Sequence, residues 1–289
     1  MSIAVVGTSI IDQIIDTPGM IPEACNKCHI KTIFGGSMRN IAENLAYLGQ
    51  QVSFVTTLGA DALGQALQMH MQQLGITMLT NTIDLPSPFF TSIYHKEDTF
   101  RFASVPDAFH ITKESQIPVN QLTSANYGIT EIASYPALSS LLFQTPHTSW
   151  LLSANFFYDL QFQPLYSALF GIVMNEEEAV YLGSGMSYKQ LAHSLLEQGM
   201  KRIIVTRSDQ GVYYLDETLE LQMPAIETPQ PHYTIGCGDA WIAGYMDAIH
   251  QQASTQEALT HGLRAASIKL SHMDVVTAEI AQIRKNIIA

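Results

Sequence analysis

Charge is scarce in this 289-residue chain: Asp, Glu, Lys and Arg make up 14%, with 14 basic residues against 26 acidic ones. The resulting formal net charge of -12 repels phosphate backbones and anionic headgroups, so neither nucleic acid nor membrane is an expected partner. Cysteine is scarce too. Three of them cannot all pair, which suits a reduced intracellular protein better than a disulfide scaffold. No apolar run approaches the roughly 18 residues of a membrane helix. The strand-like run 3–6 begins beside Met1 with no basic leader, so a soluble, cytoplasmic chain is expected. Two phosphate-binding fingerprints are missing as well. Gly7 is not part of G-x-G-x-x-G, and no G-x-x-x-x-G-K-[ST] occurs anywhere. No repeat or low-complexity linker divides the chain, and a single domain over 1–289 is expected.

Cys25, Cys28 and His29 spell C-x-x-C-H, a haem-attachment pattern that could also give zinc three ligands. Haem attachment needs an exported chain, and the sequence shows no fourth zinc ligand. The plainer reading is two thiols on a short strand or turn.

What the sequence does hold is 47% apolar residues, ample for a core, arranged in a repeating order. The runs 3–6, 52–56, 150–152, 172–174 and 203–206 are short and largely apolar, as strands buried on both faces are. Helical patterns fall between them at 40–48, 63–74 and 188–198, each closed by a glycine (Gly49, Gly75, Gly199). Strand, helix, glycine, strand is the rhythm of right-handed βαβ units in a mostly parallel sheet. Two β-rich segments, 25–34 and 89–103, break it, the second turning at Lys96, Glu97 and Asp98. They predict a small lid, inserted at about 12–34 and 88–105, over the carboxyl edge of the sheet where open α/β folds bind ligands.

Two glycine-bearing segments carry chemistry. In the first, Thr234 and Ile235 lead into Gly236, Cys237, Gly238 and Asp239, with an apolar helix following. Backbone amides at such a helix start can cradle anionic oxygens, and a carboxylate in the first turn can take a proton from an attacking hydroxyl. Equally, the glycines can make only a tight turn and Asp239 only a cap. In the second, Gly35 and Gly36 precede a helix bearing Arg39, Asn40 and Asn44. Asn40 offers both a donor and an acceptor to a hydroxyl, or caps the helix.

Together these segments resemble the two signatures of the ribokinase-like carbohydrate kinases, the pfkB family, in order and approximate separation. The resemblance runs along nearly the whole chain. Gly7 with Asp12 is similar to the family's first strand and sugar-binding acid. Gly59, Asp61 and Gly64 are similar to its G-x-D-x-x-G, Asn175 and Glu178 to its N-x-x-E, and Thr206, Ser208 and Gly211 to its nucleotide loop. The resemblance implies an α/β three-layer fold, with a mostly parallel central sheet flanked by helices and a small β lid. It implies an ATP-dependent kinase in which Asp239 deprotonates the acceptor hydroxyl and the amides of Gly236, Cys237 and Gly238 hold the phosphoryl group. Asn175 and Glu178 would help hold magnesium through water; without the family pattern, Glu178 reads as a solvated residue in the acidic run 176–178. Asp12, Gly35, Gly36, Arg39, Asn40 and Asn44 would surround the acceptor, and Thr206, Ser208 and Gly211 the nucleotide.

Within the family, the string GGSMRNIAENLAYLG is most similar to pseudouridine kinases, which implies the 5′-hydroxyl of pseudouridine or a similar nucleoside as acceptor. A free sugar of ribose or fructose type, and a non-catalytic nucleoside or sugar binder, are the alternatives; the retained Asp239 argues against the last. Departures from the pattern are Tyr233 in place of an aspartate, Cys237 in place of alanine, Trp241 in place of phenylalanine and Ser208 in place of glycine. They leave the base and anion hole intact, but Tyr233 leaves activation by a monovalent cation open and Ser208 the details of nucleotide binding. Adenine contacts are expected around 261–272, and a homodimer through the lid edges.

Overall fold

A strand that is apolar on both sides needs cover on both sides, and the arrangement of this chain follows from that demand. The protein, seen in a computed structural model, is described over residues 2–17, 27–95, 98–154, 162–229 and 233–285. Its strands are β1 (Ser2–Val6), β2 (Ile10–Asp16), β3 (His29–Gly35), β4 (Val52–Gly59), β5 (Thr77–Ile83), β6 (Phe89–His95), β7 (Asp98–Ser104), β8 (Ala125–Thr130), β9 (Ser149–Ser153), β10 (Gly171–Asn175), β11 (Arg202–Thr206), β12 (Val212–Asp216) and β13 (Glu220–Met223). The helices are α1 (Ser37–Tyr47), α2 (Ala62–Gln73), α3 (Tyr135–Gln144), α4 (Glu176–Leu182), α5 (Tyr188–Glu197), α6 (Cys237–His250), α7 (Thr255–Leu270) and the short α8 (Gln282–Lys285).

Among the described residues, nine strands form one sheet in the order β13-β12-β11-β10-β9-β8-β1-β4-β5, parallel except for the antiparallel pairings of β12 and β13 at one edge. The five predicted runs become β1, β4, β9, β10 and β11. Side-chain alternation then splits the core in two. Ile3 and Val5 join Phe54, Ile129 and Leu151 on the face covered by α1, α6 and α7. Ala4 and Val6 join Val55, Trp150 and Leu152 on the face covered by α3 and α5. Burial of each large aliphatic side chain contributes roughly 1.5–3 kcal/mol, and both faces collect it. Gly49, Gly75 and Gly199 end α1, α2 and α5 with φ of 76°, 78° and 100°, the left-handed stop their spacing predicts.

Sequence reading missed β5, β8, β12 and β13. β5 is only half buried and rich in threonine, and β8 carries Gly128 in mid-strand, so neither shows a continuous apolar run.

The lid segments form a separate four-stranded sheet, β3-β2-β6-β7. β6 and β7 pair antiparallel up to His95 opposite Asp98, as the hairpin reading expects. Lys96, Glu97 and Cys25 lie outside the described residues. Cys28 is an exposed free thiol, and His29 begins β3 with its side chain exposed. Among the described residues no three His, Cys, Asp or Glu side chains gather as a metal site.

Candidate active site

From β1 the chain builds β4 and β5 on one side, then returns to lay β8 to β11 on the other. The reversal leaves a crevice beyond the carboxyl ends of β1 and β8, where doubly wound sheets bind ligands. The N-terminal ends of α1 and α6 meet at this edge, and both bring glycines.

Asp239 occupies the first turn of α6 behind Gly236, whose φ is 84°. Glycine is required there for a second reason. A Cβ on Gly236 would lie 2.1 Å from the carbonyl oxygen of Val275. Asn40 Nδ2 of α1 donates to Asp239 Oδ2 at 2.7 Å, and the Ser37 side chain also bonds that carboxyl. Burial raises the Asp239 pKa, against the pull of these bonds and of the Arg39 and Lys269 charges. Gly238 and Asp239, at the second and third helical positions, have amides that no carbonyl of the helix can accept. The Cys237 amide is different: it donates to Thr234 O at 3.1 Å within the turn. Of the three predicted anion-hole amides, that one is already committed.

Asp12 on β2 faces the same crevice, and Gly35 makes its place. A Cβ on Gly35 would lie 2.2 Å from the Asp12 carboxylate, so only glycine lets the acid pack against β3. Burial lifts Asp12 to about 6, with Arg39 opposing and Asp239 adding to the shift. A further carboxylate, absent from the sequence reading, sits at the end of β8. Glu131 Oε1 accepts the Thr8 amide at 2.6 Å, and burial pushes the group up to about 7 against that bond. Its only sequence signal is an acid directly after a strand. Asp239 acts electrostatically on Asp12, Glu131 and Glu178, so four carboxyls share one field.

Asn175 and Glu178 cap each other at the start of α4. Glu178 Oε2 accepts the Asn175 amide at 2.8 Å, and Asn175 Oδ1 accepts the Glu178 amide at 2.7 Å. Glu178 is therefore not the solvated residue that the acidic run suggests; Glu177 beside it is exposed. Asn175 pairs with Thr206 across β10 and β11, which places the N-x-x-E pair beside the loop expected to hold the nucleotide. That loop turns tightly, with Arg207 N donating to Gly211 O at 2.7 Å. Ser208, standing where glycine is expected, holds φ of 49°, a conformation costly for a side chain. Arg207 Nε donates to Glu176 at 3.1 Å and its guanidinium lies 4.5 Å from the Tyr188 ring, tying loop to α4 and α5.

Arg39 and Asn44 lie behind the crevice. Arg39 is 2% exposed, donating to Glu43, to Phe34 O at 2.6 Å and to Asn40 Oδ1. Because guanidinium only donates, it fixes the Asn40 amide with nitrogen toward Asp239. His70 adds a 3.1 Å contact to Glu43. Asn44, one turn on, is wholly buried, and neither of its amide atoms has a hydrogen-bond partner among the described residues. Asp61 is a tie rather than a crevice group, capping α2 at Gly64 N (2.8 Å) and holding Ser87 N (2.7 Å) and Oγ (2.6 Å). In the 261–272 segment, His261 is 7% exposed within the α6–α7 packing, and the end of α7 reaches the turn at 233, where the Tyr233 amide donates to Leu270 O.

Two helix starts facing a carboxyl-rich crevice place a candidate ligand site at the switch point of a mostly parallel α/β sheet. The model of the pfkB family carbohydrate kinases matches residues 1–281, and the chain belongs to that family of ATP-dependent phosphotransferases. It is 24% identical over 252 residues to a guanosine-inosine kinase of Exiguobacterium acetylicum, covering 81% of this chain and 82% of the relative. Identity to a 5-dehydro-2-deoxygluconokinase of Lacticaseibacillus casei is 21% over 267 residues, covering 83% and 81%. Among solved structures, an Arabidopsis thaliana ribokinase complexed with ribose and ATP superposes with a TM-score of 0.83 at 16% identity, over 97% of both chains.

Proposed function

We propose that this protein transfers the γ-phosphoryl group of ATP to a nucleoside 5′-hydroxyl, with pseudouridine the first acceptor to test. The observation that carries the transfer reading is the Asp239 carboxylate, oriented by Asn40 at 2.7 Å and set beside open amides of α6. In that position Asp239 accepts the acceptor's proton as its oxygen attacks phosphorus, and the Gly236 and Gly238 amides with the α6 N-terminus face the charge on the phosphoryl oxygens. Asp12 and Asn40 hold the sugar hydroxyls, Gly36 lets the backbone approach, and Thr206, Ser208 and Gly211 flank the nucleotide.

Four neighbouring carboxyls fit a site that works with a cation. Magnesium, when bound, would supply positive charge against the phosphate groups. With no cluster of three acidic, His or Cys ligands among the described residues and one Glu178 oxygen committed to a cap, Asn175 and Glu178 suit an ion held through water and substrate phosphates. The small sheet acts as the lid of one domain. Its exposed Ile30, Phe100 and Phe102 suit pairing with a second copy.

The nucleoside assignment draws support from the 35–49 string and from the guanosine-inosine kinase relative. Arg39 and Asn44, the distinctive polar residues of that string, act through the helix interior and not by touching a base. An ADP-release assay with pseudouridine, uridine, inosine, ribose and fructose in parallel tests the assignment. Turnover confined to free sugars overturns it, and no ADP release with any acceptor, despite nucleotide binding, favours a non-catalytic binder.

A further inference from the structure

Lys269 lies in the last turn of α7 and is 0% exposed. An ammonium removed from water must be paired or fully hydrogen-bonded. Its partners in the structure are carbonyls: Nζ donates to Tyr233 O and His272 O, each at 3.0 Å. Tyr233 opens the turn that presents Gly236, Gly238 and Asp239. The same Tyr233 carbonyl accepts the Cys237 thiol at 3.4 Å, and the Tyr233 amide donates to Leu270 O at 2.9 Å. Across from it, Val275 O packs on Gly236. The ammonium therefore sits where the phosphate-facing turn meets the segment after α7, held by carbonyl oxygens in the way that a large alkali cation is held. A lysine serving only to cap its own helix reaches the last carbonyls from the surface. This one is sealed in and reaches a residue 36 positions away.

We propose that Lys269 is a tethered monovalent cation: it supplies from within the chain the charge that holds the turn 233–238 in phosphate-binding geometry, so that turnover needs no dissolved potassium or sodium. The inference rests on the kinase reading of that turn. It also accounts for the aspartate-to-tyrosine departure at 233, since an ammonium held by two carbonyls already supplies the positive charge at that turn. Burial lowers the Lys269 pKa while Cys237, Asp274 and Asp239 raise it, and its charge in turn favours the ionised form of Asp239. Lys269 is thus a positioning residue, acting on the base and the amides without touching substrate.

The test compares wild type, Lys269→Ala and Lys269→Met in potassium, ammonium, sodium and choline chlorides at one ionic strength. Two readouts are taken, kcat by ADP release and Tm without substrates. Wild type should give the same kcat and Tm in all four salts. Lys269→Ala opens space beneath two carbonyls; it should lose on the order of 10- to 100-fold in kcat in choline. Potassium or ammonium should restore much of that loss and raise its Tm, with KM for the acceptor moving less than kcat. Lys269→Met fills the space without charge and should lose activity without rescue. The proposal is overturned by a wild type that loses turnover in choline, by Lys269→Ala with unaltered kcat, or by absence of cation-specific recovery. Should Lys269→Ala fail to fold in choline, recovery of its fold in potassium supports the proposal and failure in both salts overturns it. If no acceptor is turned over by any form, the kinase reading fails, and the Tm comparison still decides the cation.

Discussion

Asp239→Asn should lower activity and raise stability together, because the carboxylate proposed as the base also crowds its neighbours. The amide is isosteric and can still accept from Asn40 Nδ2, so the fold is kept. Loss of a positioned base should cost on the order of 1000-fold in kcat, about 4 kcal/mol of transition-state stabilisation. The stability side follows from the shared field. Burial first, then the Asp239 charge, raises Asp12 to about 6 and Glu131 to about 7, and Glu178 is raised too. A carboxyl whose folded pKa exceeds its unfolded value holds its proton longer in the folded chain. Stability is then lost as pH rises through that window, here from about 4 to about 7. The unliganded protein should be more stable near pH 5 than near pH 8. Removing the Asp239 charge should return about 1–2 kcal/mol at pH 8, a few degrees in Tm, and almost nothing at pH 5. ADP-release kinetics and thermal unfolding at both pH values measure this. Activity within tenfold of wild type would refute the base assignment, and a variant destabilised at pH 8 would refute the crowded-carboxyl argument.

Gly35→Ala places a methyl 2.2 Å from the Asp12 carboxylate and should raise acceptor KM about tenfold or more at a stability cost of about 1–3 kcal/mol, read by steady-state kinetics and unfolding. Asp61→Ala removes a helix cap and the Ser87 tie; urea unfolding should show a loss of about 1–2 kcal/mol with kcat little changed. Asn44→Leu replaces a buried amide without partners by an apolar side chain of similar size, and should be neutral or stabilising by about 1 kcal/mol with acceptor KM unchanged. A raised KM at unchanged stability would instead put Asn44 at the acceptor.

Periodicity made the parallel core legible: runs apolar on both faces could become only doubly covered strands, and Gly49, Gly75 and Gly199 marked helix ends through a conformation that glycine adopts without strain. Edge and half-buried strands escaped, since β5 and β13 bury too little to leave a pattern. The site was legible where chemistry demands a local string, as at 35–40 and 236–239. It was not legible where a residue's role depends on what lies across the fold. Glu131 is one acid among 26 until the return of the chain to β8 sets it beside Thr8. Arg39 and Asn44 share a string with Asn40, yet helical geometry turns only Asn40 toward Asp239.

By itself, the sequence determined the layered α/β architecture and the carboxylate set beside glycines at a helix start, because hydrophobic period and glycine conformation act over a few neighbouring residues. Only the tertiary structure decided which carboxyls share a field, that the Cys237 amide is spent in a turn, and that the Lys269 ammonium rests on the carbonyls of Tyr233 and His272. Electrostatic coupling and desolvation depend on distance through space and on exclusion of water, and neither quantity is written along the chain.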